Sequence, residues 1–160
     1  KGIYLSNYMK WDPLKQNSSM LEFGFIPEMN SSSFDIYERS GSSVYYQFHD
    51  LLKYKRVGYR KIKDHLVREI RHGRVTREEA ILLETEYNNS QVDVYKFFNW
   101  LGMSKSGMDW FVIHKLKGYE HLIGKTQSRN IKLPEELDVL CLKGQNKQTD
   151  FITFAKGISI

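Results

Sequence analysis

The chain carries one cysteine, Cys141, among 160 residues, which excludes an internal disulfide framework and a cysteine-cluster metal site. No apolar run approaches the roughly 20 residues that a membrane-spanning helix needs. Lys1-Gly2-Ile3-Tyr4-Leu5 is too short and too polar for a secretory leader. Together these absences predict a cytoplasmic protein without a membrane span. His49, His65 and His72 match no zinc-ligand spacing, so no metal site is expected. There is no initiator methionine and no repeat of fixed period, and the chain reads as a piece of something longer or a processed product. What is present suits a folded domain: 41% hydrophobic and 14% aromatic residues support one ordinary core.

Positive charge is concentrated. Between Lys53 and Arg77 stand ten of the 24 basic residues, opposed only by Asp64 and Glu69. That stretch is net +8 in a chain of net +5, so the remainder is net −3. A local basic device of this kind either solvates a helix face or meets an anion. Guanidinium forks suit phosphate or carboxylate, so a sugar nucleotide or ATP phosphates qualify. Nucleic acid qualifies too, with Tyr54 and Tyr59 placed to stack on bases.

The apolar spacing predicts a mainly helical array with short connections. Asp12-Pro13 forms a start signal for a helix ending near Gly24. A Ser-rich loop follows, anchored by Phe34 and Tyr37. Val44, Phe48, Leu51, Leu52 and Lys55 then share a helix face that Gly58 ends, and Ile62, Leu66, Val67 and Ile70 form the next stripe, ended by Gly73. Thr76-Arg-Glu-Glu79 is a capping box ahead of Ala80, Leu83 and Tyr87. Further helices carry Val94, Phe97, Phe98 and Leu101, then Met108, Phe111, Val112 and Leu116. Pro134 opens a short helix, and Phe151–Phe154 suits a strand or an extended tail. Gly2–Leu5 suits the tail of a buried strand.

His49-Asp50 and Asp64-His65 are carboxylate–imidazole neighbours that could meet across antiparallel helices, or could be ordinary surface residues. Ser40-Gly41-Ser42-Ser43 lacks the P-loop pattern and reads as a polar loop. Cys141 reads as a buried small hydrophobe. The aromatic helix Val94–Leu101 offers a surface for interaction or for a homo-oligomer.

Taken in order, YLSNYMKWDP (Tyr4–Pro13), Gly24-Phe25, FHDLLKYKRVGYRKIKDH (Phe48–His65) and REIRHGRVTREEAILL (Arg68–Leu83) resemble the C-terminal half of the N-acetyl sugar amidotransferases. These are bacterial enzymes of lipopolysaccharide O-antigen and flagellin-sugar biosynthesis. The resemblance runs from Gly2 to about Met103. Two departures stand out. The family's S-G-G-x-D-S nucleotide loop and N-terminal cysteines are not among these residues, and its G-Y-G-R element is Gly58-Tyr59-Arg60-Lys61 here.

The resemblance implies an ATP-dependent amidation, in which a sugar acetamido oxygen is adenylated and displaced by ammonia from a glutaminase partner. ATP and Mg would bind on a site outside this chain, so the chain alone would be inactive. The implied fold is the helical C-terminal part of an α/β adenine-nucleotide alpha-hydrolase-like (PP-loop) enzyme. Residues 1–43 would close the α/β domain and add the Ser-rich loop, 44–117 would form a helical domain with a basic face, and 118–160 an extension whose structure the pattern leaves open. By residue type, Lys10, Asp12, Lys55, Tyr59, Lys61, Arg68, Arg71 and Arg74 would hold the sugar nucleotide or other anionic substrate. His49, Asp50 and Asp64 would serve the chemistry.

Overall fold

The computed structural model describes residues 2–27, 32–38, 45–125 and 131–145. Helix α1 (Pro13–Ser19) starts where Asp12 accepts the Lys15 amide at 3.2 Å and Pro13 takes the first turn, whose amide would lack a partner anyway. It tightens into a 3-10 turn, Met20–Phe23, and stops at Gly24 with φ 85°. Leu14 and Leu21 face inward. After residues 32–38 come α2 (Tyr45–Val57), α3 (Lys61–Arg71), α4 (Arg77–Asn88), α5 (Val94–Trp100), α6 (Lys105–Lys115) and α7 (Glu135–Gln145). Among the described residues no strand forms; Val92 and Ile123 make one isolated bridge.

The apolar residues gather into two clusters. The first joins α1, the 32–38 segment, α3, α4 and α7 through Leu14, Phe34, Tyr37, Ile62, Leu66, Leu83 and Leu137. The second joins α2, α5 and α6 through Phe48, Leu51, Val94, Phe98, Met108 and Leu116. Phe48 is the hub of the second, stacked on Phe97 at 4.9 Å and edge-on to Phe98 and Phe111. The aromatic side chains of α5 that suggested an interaction surface are thus largely spent on the chain's own core.

Two expectations change. Gly2–Leu5 is not a buried strand. Ile3, Tyr4 and Leu5 are exposed, and the backbone turns into a short 3-10 helix at Leu5–Asn7 held by local hydrogen bonds. On α3 the inward stripe is Ile62, His65, Leu66 and Glu69, while Val67 and Ile70 are exposed. The helix is rotated relative to its purely apolar stripe because His65 and Glu69 find charged partners inside. Ser40–Ser43, Val44 and Phe151–Phe154 lie outside the described residues.

The α3–α4 connection follows from Gly73. At φ 74° it turns the chain so that the Gly73 amide reaches the Ile70 carbonyl and the Arg74 amide reaches that of Glu69, the Schellman pattern. Val75 then buries, and Thr76 opens α4 with a capping box. Thr76 Oγ1 accepts the Glu79 amide at 3.2 Å, and Glu79 accepts the Thr76 amide at 2.8 Å. Thr76→Ala should therefore cost about 1 kcal/mol in urea unfolding, and a loss indistinguishable from zero would show that α4 does not depend on this cap.

Candidate functional site

Arg60, Arg68 and Arg74 turn onto acids of the same chain. Glu69, 0% exposed, receives Arg68 Nε on one carboxylate oxygen and Arg74 Nε on the other, both at 2.6 Å. Arg68 reaches on to Asp35 at 2.7 Å. Arg74 forks onto both oxygens of Asp12, at 2.6 and 3.0 Å. The result is an alternating row, Asp12–Arg74–Glu69–Arg68–Asp35, which ties the start of α1 and the 32–38 segment to the end of α3. Burial works to raise the Asp12 pKa, but the Arg74 hydrogen bonds, the Lys15 amide and the charges of Arg74 and His72 hold it at about 2.

Beside this row, His65 is buried between Ser33, whose Oγ lies 2.6 Å from Nδ1, and Glu38, which meets Nε2. Burial again opposes the shift, yet His65 and Lys61 hold the Glu38 carboxyl at about 2. Serine, histidine and carboxylate in sequence can relay a proton. Here, however, Ser33 is buried and also accepts the Asp35 amide, so the trio acts as a clasp on the 32–38 segment. Asp35, Glu38 and His65 bring three metal-ligating atoms within 4.8 Å. Arg68 and Lys61 already sit on those carboxylates, so a cation there would have to displace resident charge.

A second buried node is Arg60, 1% exposed. Its Nε meets Asp50 at 3.0 Å, and Nη1 donates to the carbonyls of Tyr87 and Ser90 at the end of α4. Asp50 also accepts the Lys61 amide at 2.6 Å, capping α3. Asp50 belongs to α2 of the second cluster and Arg60 to the head of α3, so this pair joins the two clusters.

The predicted site residues are therefore distributed. His49 and Lys10 are exposed, and Asp50 is committed to Arg60. Asp64 lies at the surface, 2.9 Å from Lys53, and both it and Asp50 meet Lys61, Asp50 at the backbone amide and Asp64 at Nζ, 3.7 Å away. Lys55 Nζ donates to the carbonyls of Lys115 and Lys117 at the end of α6, where a cation complements the helix dipole. Tyr59 carries Lys53 over its ring at 4.1 Å, and Lys61 pairs with Glu38. Arg68 and Arg74 converge with Asp12, as just described, whereas Arg71 is exposed, with no acidic partner among the described residues. Two clefts among the described residues are lined by Tyr95 and Asn99 of α5. Cys141 is buried, its thiol donating to the Phe34 carbonyl and pushed up to about 12 by burial and neighbouring carboxylates.

Sequence reasoning passed over Asp35, Glu38, Arg60 and Glu69. Glu69 had a signal: it sits seven residues from Ile62 and three from Leu66, on the stripe that must face inward.

This helical fold, with its Arg68–Arg74 turn, falls within the span of a known family. Residues 25–151 match the family model of the C-terminal domain of WbpG-like LPS biosynthesis proteins. The chain belongs to that family of lipopolysaccharide-biosynthesis domains. Neither a curated protein nor a solved structure gives a match. No helix among the described residues is long and apolar enough to cross a membrane.

Two outcomes follow for stability. Glu69→Ala takes the shared carboxylate from Arg68 and Arg74, leaving each with one acid and a donor unmet, and should cost about 1–3 kcal/mol, whereas Arg71→Ala should stay within about 0.5 kcal/mol of the parent; urea unfolding compares them. In acid, Asp12 and Glu38 have folded-state pKa values of about 2, below their ordinary 3.8 and 4.5. Their contribution is complete above those ordinary values and is lost as pH falls from there toward 2. Unfolding midpoints that do not move across that window would contradict the pairing.

Proposed function

We propose that this chain is the C-terminal helical portion of an ATP-dependent N-acetyl sugar amidotransferase acting in bacterial surface-polysaccharide or flagellin-glycan biosynthesis. The supporting observation is the membership of residues 25–151 in a lipopolysaccharide-biosynthesis C-terminal domain family. Beside it stands the motif run Arg68–Leu83, whose Arg68, Glu69 and Arg74 form the middle of the buried row. In the reaction, the acetamido oxygen attacks the α-phosphorus of ATP and pyrophosphate leaves. Ammonia from a glutaminase partner then adds to the activated carbon, and AMP departs with the oxygen, giving the acetamidino group. ATP and Mg bind on the preceding nucleotide domain, in the cytoplasm. This chain supplies a rigid wall whose outward groups, Lys10, His49, Tyr59, Lys61 and Arg71, are the candidates to touch an anionic sugar nucleotide.

The charge accounting favours this over a basic nucleic-acid module. Of the ten cations between Lys53 and Arg77, seven have partners in their own chain: Lys53, Lys55, Arg60, Lys61, Lys63, Arg68 and Arg74. Only Arg56, Arg71 and Arg77 remain exposed without one among the described residues. Three free charges do not make the long phosphate-tracking stripe that strong, steeply salt-dependent binding needs.

The longest natural polypeptide carrying this domain, given Mg-ATP, ammonia and an N-acetyl sugar nucleotide, should exchange the acetamido oxygen for NH, read by mass spectrometry. Absence of that product would overturn the proposal. The 160-residue chain alone should bind Mg-ATP more weakly than about 1 μM, the affinity worth about −8 kcal/mol. Calorimetry giving tighter binding would place a nucleotide site in this chain instead.

A further inference from the structure

The start of the chain carries a dense run of exposed apolar side chains. Within nine residues, Ile3, Tyr4, Leu5, Tyr8, Met9 and Trp11 are 46–80% exposed. Their 3-10 turn, Leu5–Asn7, buries no residue, and its backbone hydrogen bonds are local: Asn7 to Tyr4, and Tyr8 and Met9 to Leu5. Yet the stretch leads directly into a rigid anchor. Asp12 is held bidentately by Arg74, and Leu14 is buried just beyond it. Gly2 to Met9 contains no charged side chain.

We propose that Ile3–Trp11 is a docking ledge for an uncharged, apolar face of the domain that precedes it in the same polypeptide. This rests on the reading above that a nucleotide-binding domain comes first. Three observations select that occupant. The matched family is a C-terminal domain and its match begins at residue 25, so the ledge lies on the side from which any earlier domain must arrive. Lys10 is the ledge's single cation, too little for nucleic acid or anionic headgroups, which are held by clusters of lysine and arginine. The area is also adequate. Aromatic side chains offer about 150–250 Å² each, so two tyrosines and a tryptophan with three aliphatic neighbours reach the roughly 600 Å² at which interdomain interfaces begin. The Asp12–Arg74 fork then has a second role, since it fixes the angle at which the ledge meets that domain.

The test uses the longest natural polypeptide with Cys141→Ser, which keeps a hydrogen-bond donor at the buried position. Into it go single replacements, Ser6→Cys on the ledge and Leu82→Cys on α4, where the leucine is 69% exposed. Alkylation at each new thiol is followed by peptide mass mapping. Ser6→Cys is nearly isosteric and leaves every apolar ledge residue in place; Tyr8→Cys serves as a second probe. The expected result is labelling on the ledge at least about tenfold slower than at position 82, the protection given by a contact closed nine-tenths of the time, unchanged on dilution. Ledge labelling as fast as at position 82 would overturn the proposal. So would protection that disappears on dilution, since a second copy would then be the occupant. Assaying amidination on the same samples separates the two readings. Protected thiols without amidination would retain the docking and remove the activity, and open thiols with amidination would do the reverse.

Discussion

Burying the Glu69 carboxylate is the constraint to which most of the fold answers. An ionised carboxylate taken fully out of water is tolerable only when strong donors surround it. Two guanidinium groups supply them, one from the preceding residue and one from five residues on. The second arrives only because Gly73 reverses the chain at the end of α3, so that the Arg74 amide and its side chain both return to Glu69. Each arginine then has donors left over, and these reach out to Asp12 and Asp35. Backbone geometry at one glycine thereby determines which distant segments are tied in.

This arrangement explains how a stretch of net +8 sits in a domain without forming a large bare cationic face. The compensating acids, Asp12, Asp35, Glu38 and Asp50, come from outside the basic stretch, where the chain is net −3. The row holds three acids to two arginines, so each arginine is shared between two carboxylates and the row behaves as a unit rather than as independent surface pairs. In functional terms it makes a stiff wall, and it fixes the entry of the chain into α1.

The helices were legible in the sequence because their signals are local. Asp12-Pro13, Thr76 with Glu79, and the glycines 24, 58, 73 and 102 act within a turn of where they stand. The row was not legible, because its links span 33 residues from Asp35 to Arg68 and 62 from Asp12 to Arg74. No periodicity encodes such pairings. Arg60 illustrates the same limit: in the sequence it is only a departure from the G-Y-G-R element, whereas in the fold it is the buried bolt between the two apolar clusters. The exposure of Ile3–Leu5 was hidden for a different reason, since apolar composition predicts burial but not against which partner.

The most direct measurement is a double-mutant cycle on the far link of the row, with Asp12→Asn, Arg74→Met and the pair compared by urea unfolding. If the basic stretch is held by its own acids, the two changes should be coupled by roughly 1–3 kcal/mol, as expected for groups in one buried network. Additive effects, with coupling near zero, would mean that Arg74 does not depend on Asp12 and that its charge is available to an outside ligand.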